Sequence, residues 1–278
     1  MILMSGKEPA TVIKDNIARE ITDKKLRLTL AVILIGNDPA SEKYVEIKRK
    51  ASEKAGISFQ LWRFAEHDTK NDIIKLINKL NKNKKVTGIV IQLPLPGDFV
   101  PNELLQAIDP KKDVDGLTST NLGKLLKGFD GLFPATPSGV VSLLNYYKIP
   151  LVGKKVTVVG QSNLVGKPLA QMLLNDDATV LIANSKTKNL KALTLDSDIV
   201  ISAAGSPSLI TADMITKGTV VVDIGTTLVD GKIVGDVDFD KVSKKVSYIT
   251  PNPGGIGPMT VAMLLSNILK AEKLKKGE

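Results

Sequence analysis

The chain has no cysteine, and its only histidine is His67. The first absence excludes disulfides, thiolate metal sites and thiol nucleophiles. The second excludes zinc hydrolases of the His-Glu-x-x-His type. A serine triad would have to use His67, which stands in the polar turn Glu66-His67-Asp68-Thr69, a poor setting for triad geometry. Aromatic residues make up only 4% of the chain, so no base-stacking platform for nucleic acid is expected. No run of 18 or more apolar residues occurs, and Met1 to Met4 is too short for a signal peptide. These absences lead to the expectation of a cytoplasmic protein that binds neither membrane nor nucleic acid.

What is present is a globular composition, 43% hydrophobic and 24% charged, over 278 residues. That length makes one large or two moderate domains. The net charge is +9, from 38 Lys and Arg against 29 Asp and Glu. Lysine dominates and is spread over helix faces, as in Lys24-Lys25 and Lys82-Asn83-Lys84-Lys85. That pattern reads as a solvated surface.

Periodicity divides the chain into two α/β halves. In the first, helical patterns at 8–21, 38–56 and 69–80 alternate with strand patterns at 28–35, 58–64 and 88–93, and a short helix follows at 101–108. Residues 109–137, rich in Asp, Gly and Pro, read as an ordered connection. The second half places strands at 155–160, 179–183, 199–203 and 220–224, and a helix at 167–175. Leu228 to Val234 reads as a hairpin with an Asp230-Gly231 turn, Tyr248-Ile249 as a last short strand, and Met259 to Lys273 as a helix. The expected fold is α/β, with mainly parallel sheets covered by helices.

Several residues are candidates for chemistry. Asp38 and Pro39 start a helix after an apolar strand, and on it Tyr44 and Lys48 share a face one turn apart. A lysine desolvated beside an apolar strand can give and take protons; a salt-bridged surface lysine fits the position too, since Lys50 and Lys54 follow. Gln92 closes a buried strand, where its amide can orient an amine or merely cap the strand. Asp113-Val114-Asp115-Gly116 suits either a positively polarised heterocycle or an Asx turn. Neither it nor Asp236-Val237-Asp238-Phe239-Asp240 continues into an EF-hand loop, so no metal is expected. Pro251 to Pro258 offers backbone without bulky side chains, for close ligand approach or a structural crossing.

In the second half, Val159-Gly160-Gln161-Ser162 leads from a strand to a helix start at Gly166-Lys167-Pro168. This is a dinucleotide turn in outline, with serine replacing the second glycine. The next strand ends in Ala183-Asn184-Ser185-Lys186-Thr187-Lys188, without the acid that usually holds an NAD ribose. Two lysines and two hydroxyls there favour the 2′-phosphate of NADP; a plain polar loop is the other reading.

Five blocks in order then carry a resemblance. They are Tyr44-x-x-x-Lys48, Gly88-Ile89-Val90-Ile91-Gln92-Leu93-Pro94-Leu95-Pro96, Lys112-Asp113-Val114-Asp115-Gly116, Thr136-Pro137-Ser138-Gly139 and Pro253-Gly254-Gly255-Ile256-Gly257-Pro258-Met259-Thr260. From about Ile13 to Ala271 the chain resembles the bifunctional methylenetetrahydrofolate dehydrogenase/cyclohydrolase family. The resemblance implies an N-terminal α/β domain over 1–135, joined by the C-terminal helix 259–278. It also implies a Rossmann-like NADP-binding domain over 136–258, with an active-site cleft between the domains. The implied activity is oxidation of 5,10-methylenetetrahydrofolate with NADP, then hydrolysis of the methenyl product to 10-formyltetrahydrofolate. The implied substrates are tetrahydrofolate one-carbon derivatives, and the implied assembly is a homodimer through the cofactor domain.

By the same resemblance, Tyr44 flanks the folate, Lys48 is the catalytic group, Gln92 tunes it and Asp115 anchors the pterin-like ring. Pro251, Gly255 and Ile256 line the folate side. Gly160, Gln161, Ser162, Ser185 and Thr226 contact the cofactor. The chain departs from the family pattern at three points: Gln161 stands where some NADP-using relatives have arginine, Gly225-Thr226-Thr227 replaces Gly-Ile-Asn, and Asn252 replaces an apolar residue before Pro253. A dehydrogenase without cyclohydrolase, a shikimate-type NADP dehydrogenase and a basic nucleic-acid binder are the alternatives.

Overall fold

The computed structural model describes residues 1–229 and 232–276. The chain divides into two compact units, one of Met1–Thr11 with Thr136–Thr260, the other of Val12–Ala135 with Val261–Glu278. The first eleven residues thus cluster with the second half of the chain, where the sequence reading puts them in the first. The cause is a two-residue strand, β1 (Ile2–Leu3), too short to show any alternation. It pairs in parallel with Tyr248 and Ile249 through Ile2 N–H to Ser247 and Met4 N–H to Ile249, both at 2.7 Å.

After β1 run α1 (Lys7–Asp23), β2 (Thr29–Ile35), α2 (Pro39–Lys54), β3 (Ser58–Phe64), α3 (Lys70–Lys82), β4 (Gly88–Ile91), α4 (Pro101–Leu105) and α5 (Ser119–Leu126). The unit built on 12–135 holds a parallel three-stranded sheet ordered β3-β2-β4. Central β2 is apolar from Leu30 to Ile35 because both its faces are covered. Leu30, Val32 and Leu34 pack with Ile17 and Ile21 of α1, Val45 of α2 and residues 264–269 near the C-terminus. Ala31, Ile33 and Ile35 face the other way, onto Ile73, Ile77 and Leu80 of α3 and Leu104 of α4. The alternation is the period of two that a strand imposes.

The other unit contains α6 (Ala135–Tyr146), β5 (Lys155–Val159), α7 (Gly166–Asn175), β6 (Thr179–Ala183), α8 (Leu190–Leu195), β7 (Ile199–Ser202), β8 (Val220–Asp223), β9 (Thr227–Val229), β10 (Lys232–Val234), α9 (Phe239–Val242) and β11 (Tyr248–Ile249). The last helix, α10 (Ile256–Lys276), contributes residues to both units. The sheet is six-stranded and parallel, ordered β1-β11-β8-β7-β5-β6, the doubly wound arrangement of a Rossmann-like domain. Strands β9 and β10 pair as the expected hairpin, and its Asp230-Gly231 turn lies outside the described residues.

Two helices stand where the sequence reading places none, one inside the 109–137 connection and one running on from its end. α5 is capped by Thr118, whose hydroxyl accepts from Asn121 N–H. α6 opens with Pro137, tolerated in a first turn where no N–H is needed. Gly139 lets it approach α10, since a Cβ there would lie 3.1 Å from that of Met259. Among the described residues no helix is long and apolar enough to cross a membrane.

Candidate active site

In the sheet β3-β2-β4 the chain leaves β2 to one side and returns on the other, so the order reverses between β2 and β4. Crevices at the carboxyl ends of strands flanking such a switch are where α/β proteins bind ligands. Gln92 directly follows β4, and α2 follows β2 by a tight turn. Asp38 caps α2, its carboxylate accepting from Ser41 N–H at 2.8 Å, and Pro39 occupies the first turn. The helix ends before Gly56, whose φ of +80° suits glycine.

This framing brings Lys48 to Gln92. The Lys48 Nζ donates to Gln92 Oε1 at 3.1 Å, and the Gln92 amide nitrogen donates to the Leu93 carbonyl at 2.6 Å. The second bond fixes which end of the amide faces the lysine. Gln92 is 6% exposed and Lys48 half-buried. The salt-bridge reading belongs instead to its neighbours: Arg49 pairs with Glu46 and Glu53, and Lys50 with Glu46. Arg49 chiefly draws the Glu46 carboxyl down to about 2. Tyr44, one turn before Lys48, is 42% exposed.

The two aspartates of the 113–116 segment separate in role. Asp113 is buried and accepts from Leu117 and Thr118 N–H at 3.1 and 2.7 Å and from the Asn121 amide at 2.9 Å. It is the Asx-turn residue. Asp115 accepts no hydrogen bond from any described residue. Protein packed around its carboxyl pushes its pKa up, while the Lys48 charge pulls it down and the Asp113 charge adds to the rise. Gly116, at φ +70°, passes so close to Phe133 that a Cβ would lie 2.3 Å from its carbonyl carbon. Tyr44, Lys48, Gln92 and Asp115 therefore belong to one unit, and an amine, an amide and an unpartnered carboxylate gather there.

The remaining candidates belong to the other unit, at the carboxyl edge of its sheet. Gly160 follows β5 at the switch between β5 and β7. Its φ is +123°, and a Cβ would meet the Ala203 carbonyl oxygen at 2.4 Å. A Cβ on Gly166 would lie 2.0 Å from the Gly160 oxygen, so this glycine lets α7 pack against the turn. Ser162 Oγ closes the turn by accepting from Val165 N–H at 3.1 Å. Gln161 is exposed and accepts from the Asn184 amide at 3.0 Å, which joins the glycine turn to the loop after β6. In that loop Ser185, Lys186 and Lys188 are exposed, and neither lysine forms an ion pair among the described residues. Thr226 is exposed beyond β8. Pro251, Gly255 and Ile256 follow β11, the first half-buried and the others buried. A Cβ on Gly6 would lie 1.9 Å from the Gly255 oxygen, so the N-terminal segment packs on this turn.

Sequence reasoning missed a buried acidic set in the same unit. Asp236 accepts from Ser202 Oγ and from the backbone N–H groups of Ala204, Gly205 and Ser206, at 2.7–3.2 Å. Asp223 accepts from Asp236 and Val237 N–H at 3.0 and 3.1 Å. Burial outweighs these bonds and raises the Asp223 pKa to about 6. The available signal was an acid ending the apolar Val220-Val221-Val222 run.

The sequence matches the catalytic domain of tetrahydrofolate dehydrogenase/cyclohydrolase over residues 4–115 and the NAD(P)-binding domain of the same family over 134–276. The chain belongs to the tetrahydrofolate dehydrogenase/cyclohydrolase family. The catalytic-domain match spans Tyr44, Lys48, Gln92 and Asp115, and the NAD(P)-binding match spans the glycine turn. Among similar members, the bifunctional protein FolD of Nautilia profundicola is 49% identical over 277 residues, 98% of each chain. The crystal structure of bifunctional FolD, a methylenetetrahydrofolate dehydrogenase/cyclohydrolase, from Campylobacter jejuni superposes with a TM-score of 0.96 at 46% identity over 99% of both chains. FolD from Trypanosoma brucei, solved with NADP cofactor and an inhibitor, superposes with a TM-score of 0.95 at 35% identity over 100% of this chain and 99% of that one. Family membership at this coverage displaces the shikimate-type alternative.

Proposed function

We propose that this chain oxidises 5,10-methylenetetrahydrofolate to the methenyl compound with NADP and hydrolyses that product to 10-formyltetrahydrofolate. The observation that carries the reading is the Lys48–Gln92 hydrogen bond beside the unpartnered Asp115 carboxylate. A dehydrogenase alone has no need of a proton-handling amine; hydrolysis does.

Asp115 is an acceptor for the N–H groups of the pterin-like ring, and Tyr44 flanks that ring with its exposed face. Pro251, Gly255 and Ile256 line the folate side. Gly160, Gln161, Ser162, Ser185 and Thr226 hold the cofactor. The residues fit a dinucleotide: Gly160 leaves no space for a side chain, and no carboxylate stands at the end of β6 to oppose a 2′-phosphate. Lys186 and Lys188, without ion-pair partners, favour that phosphate and hence NADP over NAD. When bound, the nicotinamide supplies a hydride acceptor for the one-carbon bridge.

Loss of hydride leaves the bridge carbon cationic, and water adds to it with release of a proton. The carbon–nitrogen bond to the ring then breaks as that nitrogen takes up a proton, leaving the formyl group on the other nitrogen. Lys48 carries the proton, and Gln92 holds its amine in place. The protein works in the cytoplasm as a homodimer. The edge strand β6 supports the dimer: among the described residues it has one pairing partner, and Leu181 and Ile182 are 42% and 43% exposed on it.

The test is a full-spectrum assay with methylenetetrahydrofolate and NADP, or NAD. Methenyl absorbance should rise with NADP and then decay. In Lys48→Ala the decay should slow by about 10²–10⁴-fold. Decay at the wild-type rate in that variant sinks the role given to Lys48.

A further inference from the structure

Side chains tie together the segments that follow β8 and β11. Asn252 stands between Pro251 and Pro253, and its side-chain amide donates to the carbonyl oxygen of Gly225. The same amide lies against the Asp223 carboxylate and favours its charged form. Asp223 also reaches the residue after β11 through its own N–H, which donates to Thr250 Oγ1 at 2.8 Å. Its two carboxylate oxygens hold the N–H groups of Asp236 and Val237. The packing leaves no space for alternatives. A Cβ on Gly235 would lie 1.9 Å from Asp223 Oδ2 and 2.7 Å from the Asn252 amide nitrogen, and one on Gly225 would lie 2.0 Å from Asp236 Oδ1.

The chemistry of the Pro-Asn-Pro run explains why a side chain is needed. Two of its three residues lack a backbone N–H, so Asn252 supplies every donor the run has, and its side-chain amide is the one that reaches the Gly225 carbonyl. Asn252 has one of the right length. The Gly225 carbonyl it holds belongs to the residue just before Thr226.

We propose that Asn252 is a positioning residue, which fixes the Gly225-Thr226 segment in the conformation that receives the nicotinamide dinucleotide, with Asp223 orienting its amide. This rests on the reading of Thr226 as a cofactor contact. It extends that reading to a residue that itself touches no cofactor.

The test compares wild type with Asn252→Ala, which removes the donor, and Asn252→Asp, which keeps the size but sets a second carboxylate against Asp223. The Kd for NADPH is read by fluorescence titration, and cyclohydrolase activity is read separately on the methenyl compound without dinucleotide. The Kd should rise on the order of tenfold in Asn252→Ala and at least as much in Asn252→Asp. Cyclohydrolase kcat/KM should fall several times less than NADPH affinity. Equal falls in both readouts mean a general structural role and overturn the proposal, as does an unchanged Kd in either variant. If wild type binds no NADPH, the reading of the segment fails and the proposal with it. If Thr226→Trp weakens NADPH binding while both Asn252 variants bind normally, the reading stands and this proposal alone fails.

Discussion

Asp113 and Asp115, separated by one valine, have opposite fates. Asp113 spends its oxygens on Leu117, Thr118 and Asn121, so replacing it should cost stability. Asp115 has desolvation without compensating hydrogen bonds. A carboxyl whose pKa is raised by folding loses stability as pH climbs through that pKa. Asp115→Asn should therefore be at least as stable as wild type near pH 7, while its KM for the folate rises roughly tenfold or more. Thermal unfolding beside steady-state kinetics checks both, and a variant weakened in stability and in KM alike counts against the assignment. Asp223 obeys the same sign with a value attached, since its pKa moves from 3.8 to about 6. The folded state holds its proton where the unfolded chain has released it. Wild type should thus lose stability relative to Asp223→Asn between about pH 4 and pH 6, by on the order of 3 kcal/mol, and the gap should level off above about pH 7. Urea titrations of both proteins at several pH values measure this gap. A constant gap means the carboxyl is not desolvated.

At the scale of elements, the β5–Gly160–α7 unit is rigid because backbone meets backbone. Gly160→Ala puts a methyl 2.4 Å from the Ala203 oxygen at a φ of +123°, so it should both lower the melting temperature and abolish tight NADP binding. Gly153 is a control. Its φ is +71° with nothing within 4 Å of a Cβ, so Gly153→Ala should cost only about 1–2 kcal/mol and leave NADP affinity as it was. Elements with long periodic patterns were legible: β2 by its unbroken apolar run, α2 by Asp38 and Pro39, and β5 by the glycine that follows it. α6 was not, because Pro137, Ser138 and Gly139 have turn chemistry locally. Its reason for being helical lies in Val140, Leu143 and Leu144, which are buried, and in the close approach of Met259. The site divides the same way. Lys48 and Gln92 could each be nominated from strand ends, yet their hydrogen bond joins residues 44 positions apart. Asp223 showed only as an acid ending an apolar run and Asn252 only as an unusual neighbour of Pro253, since what they do depends on partners brought in by other strands.

For the whole molecule, the exposed edge of the larger sheet invites a partner. An uncovered edge strand with apolar side chains is a template for pairing. Light scattering should give the mass of a dimer, and Leu181→Glu with Ile182→Lys should give that of a monomer; a monomeric wild type removes the argument from β6. The interleaved ends of the chain bear on how the protein is made. Synthesis delivers Ile2 and Leu3 long before their pairing strand, Tyr248–Ile249. The core built around β2 includes Leu264, Leu265, Ile268 and Leu269. One unit is therefore incomplete until Tyr248 and Ile249 are made, and the other until 264–269 are. A nascent chain halted after residue 135 would hold β2 packed on α1 and α2 but without Leu264, Leu265, Ile268 and Leu269, so the late arrival of α10 sets when the rest of that apolar surface stops being exposed to chaperones.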